Sequence, residues 1–529
     1  MLILNNLSYI HPDKHLLFDN INLNIATGNK VALLGNNGVG KSTLLKIIAG
    51  SLLPSQGFIQ TDVKPYYVPQ VFGQYDHLTV AQALQAADKL HALQQLLNGD
   101  TSDVNYSALN DDWTIEERCH EALQYWRIND VTLQQAMNTL SGGQKTRVLL
   151  AGIYVNSPEF ILLDEPSNHL DTAGRTLLYD FIESSASTLL IISHDRKLLN
   201  KLDTVCELMT NGINVYGGNY NFYAEQKKLE LQALNEDVQD KEKSLRKARE
   251  KEYKTIERQQ KLNARGKKKQ EKAGLPTIVM NSFRNNAEKS TSKLKGVHAA
   301  KTAAIEAELQ ELRKALPDID TMRFGFDDAL LHKGKILFRT AGINFGYNGA
   351  LLWKHDLNFE IISGERIALK GKNGSGKTTL IKIILGRIKA VKGSVYSAIN
   401  NAVYIDQDYS LINNDLSVYE QAEQFNTGAL QEHEIKVRLY RFLFTKSSWD
   451  KSCAGLSGGE RMRLMLCCLT IANESPDMII LDEPTNNLDI QNIEILTAAI
   501  NQYKGTLIIV SHDAIFLEEV GITRNIELI

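Results

Sequence analysis

The chain alternates between two kinds of hydrophobic pattern. Short apolar runs suited to buried strands recur in its first and last parts, at Val31–Leu34 and Ile161–Leu163 and again at Ile367–Leu369 and Ile479–Leu481, and the runs that carry glycine loops are followed by helical patterning. Between these parts, from about Tyr223 to Asp320, the pattern becomes that of long helix. Leu231, Leu234, Val238, Leu245 and Ala248 recur at helical spacing, Ala273-Gly274-Leu275-Pro276 interrupts, and Leu294, Ile305, Leu309 and Leu312 resume it. This predicts a helical hairpin over 223–320 with its tip near 274–286, set between α/β domains at 1–222 and 321–529. A straight helix from Glu225 to Lys272 would run about 70 Å. That is far more than a tether between neighbouring domains requires.

Glycine-rich loops carry the chemistry. Gly35-Asn36-Asn37-Gly38-Val39-Gly40-Lys41-Ser42, followed by Thr43, and Gly371-Lys372-Asn373-Gly374-Ser375-Gly376-Lys377-Thr378, followed by Thr379, both fit the phosphate-loop pattern. Glycines let successive backbone N–H groups turn toward phosphate, the lysine reaches the terminal phosphates, and the hydroxyl of Ser42 or Thr378 can ligate Mg²⁺. After Lys41 come Gln70, Leu140-Ser141-Gly142-Gly143-Gln144, Asp164-Glu165 and His194. After Lys377 come Gln407, Leu456-Ser457-Gly458-Gly459-Glu460, Asp482-Glu483 and His512, in the same order. The offset between copies is 336 at the lysines, 337 at the glutamines, 316 at the signature serines and 318 at the glutamates and histidines. The first copy therefore holds about twenty-one extra residues between Gln70 and Ser141. A repeat this long is a duplicated domain, not a solenoid. Phosphoryl transfer asks a protein mainly to position water and neutralise charge, which a lysine, a metal, a carboxylate at a strand end and an imidazole supply.

These motifs resemble the ATP-binding cassette superfamily, whose Leu-Ser-Gly-Gly-Gln signature is more specific than the phosphate loop. The resemblance implies two tandem P-loop ATPase domains that bind ATP and Mg²⁺. By it, Asp164 and Asp482, with Ser42, Gln70, Thr378 and Gln407, hold the metal environment. Glu165 and Glu483 polarise the attacking water, and His194 and His512 sense the γ-phosphate. Such cassettes act as a head-to-tail pair. One site then sets Lys41, Gln70, Glu165 and His194 against Ser457, Gly458 and Gly459, and the other sets Lys377, Gln407, Glu483 and His512 against Ser141, Gly142 and Gly143. The adenine-stacking position falls on Tyr347 in the second copy and on His11, or else Tyr9, in the first.

Charge narrows the resemblance. Residues 241–300 hold 18 Lys and Arg against 6 Asp and Glu, whereas the rest of the chain holds 41 against 56, so a whole-chain charge of −3 conceals a strongly basic segment. This is the footprint of a polyanion-binding element. Arg265, Lys267, Lys268 and Lys269 precede the breaker cluster, Arg284, Lys289, Lys293 and Lys295 follow it, and Leu275–Met280 and Phe283 are expected on an exposed loop where Phe283 or Arg284 could stack on RNA bases. With such a linker, and with Asn168-His169-Leu170-Asp171 and Asn487-Leu488-Asp489 where transporter cassettes more often read S-A-L-D, the chain resembles the ABC-F family. That resemblance implies binding at the ribosomal tRNA exit site, with the linker reaching toward peptidyl-site tRNA and the peptidyl-transferase centre. Housekeeping translation factors and antibiotic-resistance proteins share all of these motifs. The extra residues, within about 71–138, occupy the place of the family's arm; with Asp103, Asp111, Asp112, Glu116 and Glu117 in this region, the arm is short and is not expected to hold RNA strongly.

Composition fits this reading. No apolar stretch approaches the roughly 18 residues needed to span a bilayer, and the N-terminus Met1-Leu2-Ile3-Leu4 lacks a basic leader, so a cytoplasmic monomer without its own channel or a stable membrane partner is expected. The chain stops soon after His512, without the expectation of a C-terminal extension. Five cysteines with no C-x-x-C spacing support neither a disulfide framework nor a zinc site. A soluble subunit of a membrane transporter and a DNA-associated ATPase are the alternatives; neither explains a basic hairpin joining two cassettes.

Overall fold

The computed structural model describes residues 1–12, 14–70, 73–272, 277–315, 334–347, 350–372, 374–472, 475–486 and 488–528. The chain divides into two compact units, Met1–Asn221 with Met322–Ile529, and Phe222–Thr321.

Each cassette is built on a mainly parallel sheet. In the first, the strands run in the order Tyr66–Val68, Phe160–Asp164, Thr188–Ile192, Lys30–Leu34, Thr204–Met209 and Gly212–Tyr216, with only the last pair antiparallel. Phe160–Asp164 and Thr188–Ile192 are buried at every position, as expected for central strands covered on both faces. The second cassette repeats the order with Ala402–Ile405, Met478–Asp482, Thr506–Val510, Arg366–Gly371 and Arg524–Leu528, all parallel. A three-stranded antiparallel sheet completes each cassette, centred on Leu2–Ile10 or Ile336–Asn344. Its inner face packs with the phosphate-loop helix, Lys41–Ile48 or Lys377–Ile384, in one apolar core that includes Phe18 and Leu44 in the first copy and Phe338 and Leu380 in the second. All five cysteines are buried and free, consistent with packing roles.

The extra residues of the first copy are helical. Val80–Ala83 and Val418–Gln424 open this region in the two copies, each behind a capping box, Thr79 with Gln82 and Ser417 with Glu420. Ile115–Tyr125 and Glu432–Arg441 precede the respective signatures, and only the first copy adds the packed pair Ala87–Leu97 and Asp103–Leu109. Asp112, one of the acidic residues of this insert, does not face solvent: it receives Lys89 Nζ at 2.8 Å and Arg118 Nη2 at 2.5 Å. Burial raises its pKa, but these two cations and their hydrogen bonds outweigh that and hold the carboxyl below its ordinary range.

In the linker unit, Tyr220–Lys272 and Thr277–Ala315 are continuous helices of 53 and 39 residues that form a hairpin. Ion pairs cross between them, Lys241 with Glu308, Arg249 with Glu306 at 2.6 Å and Arg313 with Glu242 at 2.5 Å, and Val238 and Leu309 are buried. The expected tip requires correction. Thr277–Asn286 belongs to the second helix and is not loop, because nothing in it breaks a helix after Pro276, and proline is well suited to precede a helical segment. Gly274, Leu275 and Pro276 lie outside the described residues. Arg265 and Lys268 are exposed on the first helix and Lys289 and Lys293 on the second; the side chains of Lys267, Lys269, Phe283 and Arg284 are also outside the description.

Candidate functional site

Each phosphate loop joins the end of a buried strand to the start of a helix, which turns the helix N-terminus and its free N–H groups into an anion cradle. Gly40 and Gly376, the residues capping these helices, adopt φ of 102° and 89°. A Cβ at Gly40 would come within 2.7 Å of Leu17, and one at Gly376 within 2.4 Å of Leu352, so both backbone conformation and space demand glycine. Lys41 Nζ donates to the carbonyls of Gly35 at 2.5 Å and Asn36 at 3.3 Å. Lys377 Nζ does the same to Gly371 at 2.7 Å and Lys372 at 3.0 Å.

The first cavity, of about 380 Å³, gathers Asn37, Gly38, Gly40, Lys41, Ser42, Thr43, Gln70, Asp164, Glu165 and His194. His11 lines it too. Tyr9 is not among the lining residues: its ring lies 6.2 Å from that of Phe18 and packs against the core. Ser457, Gly458 and Gly459 are not among the lining residues. The second cassette instead reaches this loop through Asp489, whose Oδ2 accepts the Asn37 N–H at 3.0 Å.

The second cavity, of about 540 Å³, gathers Gly374, Gly376, Lys377, Thr378, Thr379, Gln407, Asp482, Glu483 and His512, and Ser141, Gly142 and Gly143 of the first cassette close its other side. Tyr347 lines it with an exposed ring, its hydroxyl 3.3 Å from Thr379 Oγ1. Gly35, Asn36 and Val39, like Gly371, Lys372 and Ser375, lie in the loops but not on these cavities. Asn373 is outside the described residues.

The carboxylates sit where the parallel strands end. Glu165 and Glu483 both take left-handed backbone, φ 52° and 49°, an uncommon conformation for residues other than glycine. It is held by hydrogen bonds from their N–H groups to Ile192 O at 2.9 Å and Val510 O at 2.8 Å. His194 Nε2 lies 3.1 Å from Glu165 Oε1, and His512 Nε2 lies 3.4 Å from Glu483 Oε1. Burial raises the pKa of Glu165, and the neighbouring Asp164 raises it further; burial lowers that of His194. In the second site burial brings Glu483 up to about 7, against the opposing pull of Arg175, and His512 down to about 4. Burial therefore holds both histidines in the neutral form near pH 7.

Several functional neighbours are absent from the sequence expectations. Tyr67 and Tyr404 donate to Asp164 Oδ2 at 3.3 Å and Asp482 Oδ2 at 2.9 Å. Their identical spacing of three residues before Gln70 and Gln407 is a signal that could have found them. His169 and Arg175 line the second cavity from the first cassette, and Thr172 Oγ1 lies 3.3 Å from His512 Nδ1. No repeat pattern marks His169 or Arg175, because the second copy has Asn487 and Ile493 at the same offset.

Two such sheets, each presenting a phosphate loop, a signature and a paired Asp-Glu, define a tandem ATP-binding cassette protein. The family described as ABC transporter matches residues 18–168 and 354–486. The chain is 31% identical over 556 aligned residues to the probable ATP-binding protein YbiT of Escherichia coli O157:H7, covering 100% of this chain and 96% of that one. It is 30% identical to ABC transporter F family member 5 of Arabidopsis thaliana, covering 95% and 71%. Among solved structures, the archaeal ribosome recycling factor aABCE1, in complex with the stalk protein aP1, superposes with a TM-score of 0.60 at 18% identity over 99% of this chain and 87% of that one, a likeness of fold. The chain belongs to the ABC-F family. Its cassettes bind ATP and imply ATPase activity.

Proposed function

We propose that the protein hydrolyses ATP at two sites shared between its cassettes and uses the cycle to set its basic hairpin on the ribosome, near the tRNA exit site, where the hairpin acts on peptidyl-site tRNA or the peptidyl-transferase centre. The observation that carries the hydrolytic part is the second cavity, where Lys377, Glu483 and His512 face Ser141, Gly142 and Gly143. In this reading Lys41 and Lys377 bind the terminal phosphates, Glu165 and Glu483 orient and deprotonate water, and His194 and His512 hold those carboxylates while contacting the γ-phosphate. Tyr347 and His11, which line the two cavities, would stack on adenine. Asp164 Oδ1 is buried and has no hydrogen-bond partner among the described residues, which fits a cation ligand, so Ser42 and Asp164, with Gln70, would hold Mg²⁺, and Thr378, Asp482 and Gln407 likewise. When bound, the metal neutralises phosphate charge.

The ribosomal part is supported by family membership and by the net charge of +12 within 241–300, on helices that belong to a unit separate from the cassettes. ATP drives the cycle only to the extent that it binds the closed cassette pair better than the open one. No described helix is long and apolar enough to cross a membrane, and the proposed place of work is the cytoplasm. The fitting roles are translation factor and antibiotic-resistance protein.

The test is sedimentation of the Glu165→Gln/Glu483→Gln protein with ribosomes, with and without ATP. ATP-dependent co-migration that persists at moderate salt is the expected result. Failure to co-migrate, with preference for duplex DNA or capture by a membrane partner, would overturn the ribosomal destination and leave the ATPase untouched.

A further inference from the structure

The two sites differ in one buried cation. Arg175 lies in the helix Thr172–Ser184 of the first cassette and is only 8% exposed. Its Nε donates to Leu170 O at 3.3 Å and its Nη1 to Asp195 Oδ2 at 3.4 Å. Asp195 is itself fixed: the Tyr179 hydroxyl donates to the same oxygen at 2.5 Å, and Oδ1 caps the following helix through the N–H groups of Lys197 and Leu198 at 3.0 and 3.2 Å. Asp195 directly follows His194, which lines the first cavity, whereas Arg175 lines the second cavity together with Glu483 and His512. A cavity of about 20 Å³ between the cassettes brings Glu165, His194 and Arg175 together with Asn486 and Asp513. One guanidinium thus touches the histidine loop of one site and faces the carboxylate of the other.

The opposite arrangement is not found among the described residues. At the offset of 318 that relates the glutamates and histidines of the two copies, the counterpart of Arg175 is Ile493, which is buried and lines the same small cavity. Arg175 lines the second cavity beside Glu483 and Lys377, whereas no arginine is among the described residues that line the first cavity around Glu165. A fixed cation in a water-poor site acts more strongly than one in solvent and needs no reorganisation during reaction.

We propose that Arg175 is a positioning residue for hydrolysis at the second site alone, held by Asp195 so that the histidine loop of the first site sets the placement of Glu483, and that the two sites are for this reason unequal. The inference rests on the two-site hydrolytic reading above. Among the described residues only one such link joins the two sites, because Ile493 can form neither half of a second.

Arg175→Gln and Arg175→Lys should be made in two backgrounds, Glu165→Gln, in which only the second site turns over, and Glu483→Gln, in which only the first does. Steady-state ATPase would be measured in each, with thermal unfolding as a check on folding. In the second-site background Arg175→Gln should lower kcat about tenfold or more with KM held within about twofold, and Arg175→Lys should restore most of the rate. In the first-site background both variants should stay within about twofold. Equal losses in the two backgrounds would reduce Arg175 to a packing role, and no loss in the second-site background would remove it from the reaction; either overturns the proposal. If the Gln variant fails to fold, Arg175→Met, which keeps the length of the side chain without its charge, decides: a deficit confined to the second-site background supports the proposal, and equal deficits or none overturn it. Full activity in the Glu165→Gln/Glu483→Gln protein with Arg175 intact would instead sink the two-site reading itself.

Discussion

The two nucleotide cavities carry the same motifs in the same order, yet the first is closed mainly by its own cassette and the second is completed from across the interface. The first receives Asp489 on the N–H of Asn37; the second receives Ser141, Gly142, Gly143, His169 and Arg175. Duplication copied the strand-to-helix loops, because each cassette must fold its own sheet around them. The surfaces the cassettes turn toward each other share the signature but differ beyond it, where one side has Arg175 and the other Ile493. Chemistry common to both sites therefore resides in the repeat, and differences between them reside at the interface.

The comparison breaks most completely if neither cavity hydrolyses ATP. Glu165→Gln with Glu483→Gln should lower phosphate release by at least about a hundredfold, with ATP binding preserved in a filter assay. A residual rate near that of the parent would move the chemistry elsewhere. A subtler contrast comes from bulk placed in the signatures. Ser141→Arg should weaken nucleotide binding at the second cavity by about tenfold or more, whereas Ser457→Arg should leave binding at the first nearly unchanged, because Ser457 does not line it. Titration of a fluorescent ATP analogue into single-site variants would read the difference, and equal effects would show that both cavities are closed alike when nucleotide binds.

Stability sharpens the contrast between the insert of the first cassette and the linker. Asp112→Ala should cost about 1–2 kcal/mol in chemical denaturation at neutral pH, since it strands Lys89 and Arg118 at a partly buried site. The folded-state pKa of Asp112 is depressed, so its contribution is present above the ordinary carboxylate pKa of about 4 and is lost as pH falls through the lower folded value. The difference between parent and variant should therefore shrink in acid. A difference that grows in acid would contradict the assigned ion pairs. The smallest effect is expected in the hairpin, where Arg249 and Glu306 are half exposed. Glu306→Gln should change stability by no more than about 0.5 kcal/mol and should do so less at high salt.

Much of this molecule was legible from its sequence because much of it is local. The phosphate loops, the signatures and the Asp-Glu pairs each depend on a few adjacent residues beside a buried strand, and spacing alone locates them. The long helices announced themselves through periodicity, and the crossing ion pairs Arg249–Glu306 and Arg313–Glu242 agree with the hairpin that the breaker cluster implied. The loop expected over Leu275–Met280 was misjudged at its C-terminal end, since an apolar stretch with no flanking partner reads alike as exposed loop or as first helical turn; from Thr277 onward it is helix. The acids of the insert read as a uniform surface, although Asp112 is taken up by Lys89 and Arg118 from twenty-three residues before it and six after.

By itself, then, the sequence determined that there are two cassettes, which residues surround each phosphate loop, and that a basic helical segment lies between them, because all of these follow from short-range pattern and composition. Only the tertiary structure decided that His11 and not Tyr9 faces the first cavity, that Ser457 and its glycines do not line it, and that Arg175 stands between His194's loop and Glu483. Those relations join residues tens to hundreds of positions apart. They are fixed by how strands pack and how one cassette meets the other, and a side chain's chemical role there depends on which groups share its low-dielectric surroundings, which no window along the chain contains.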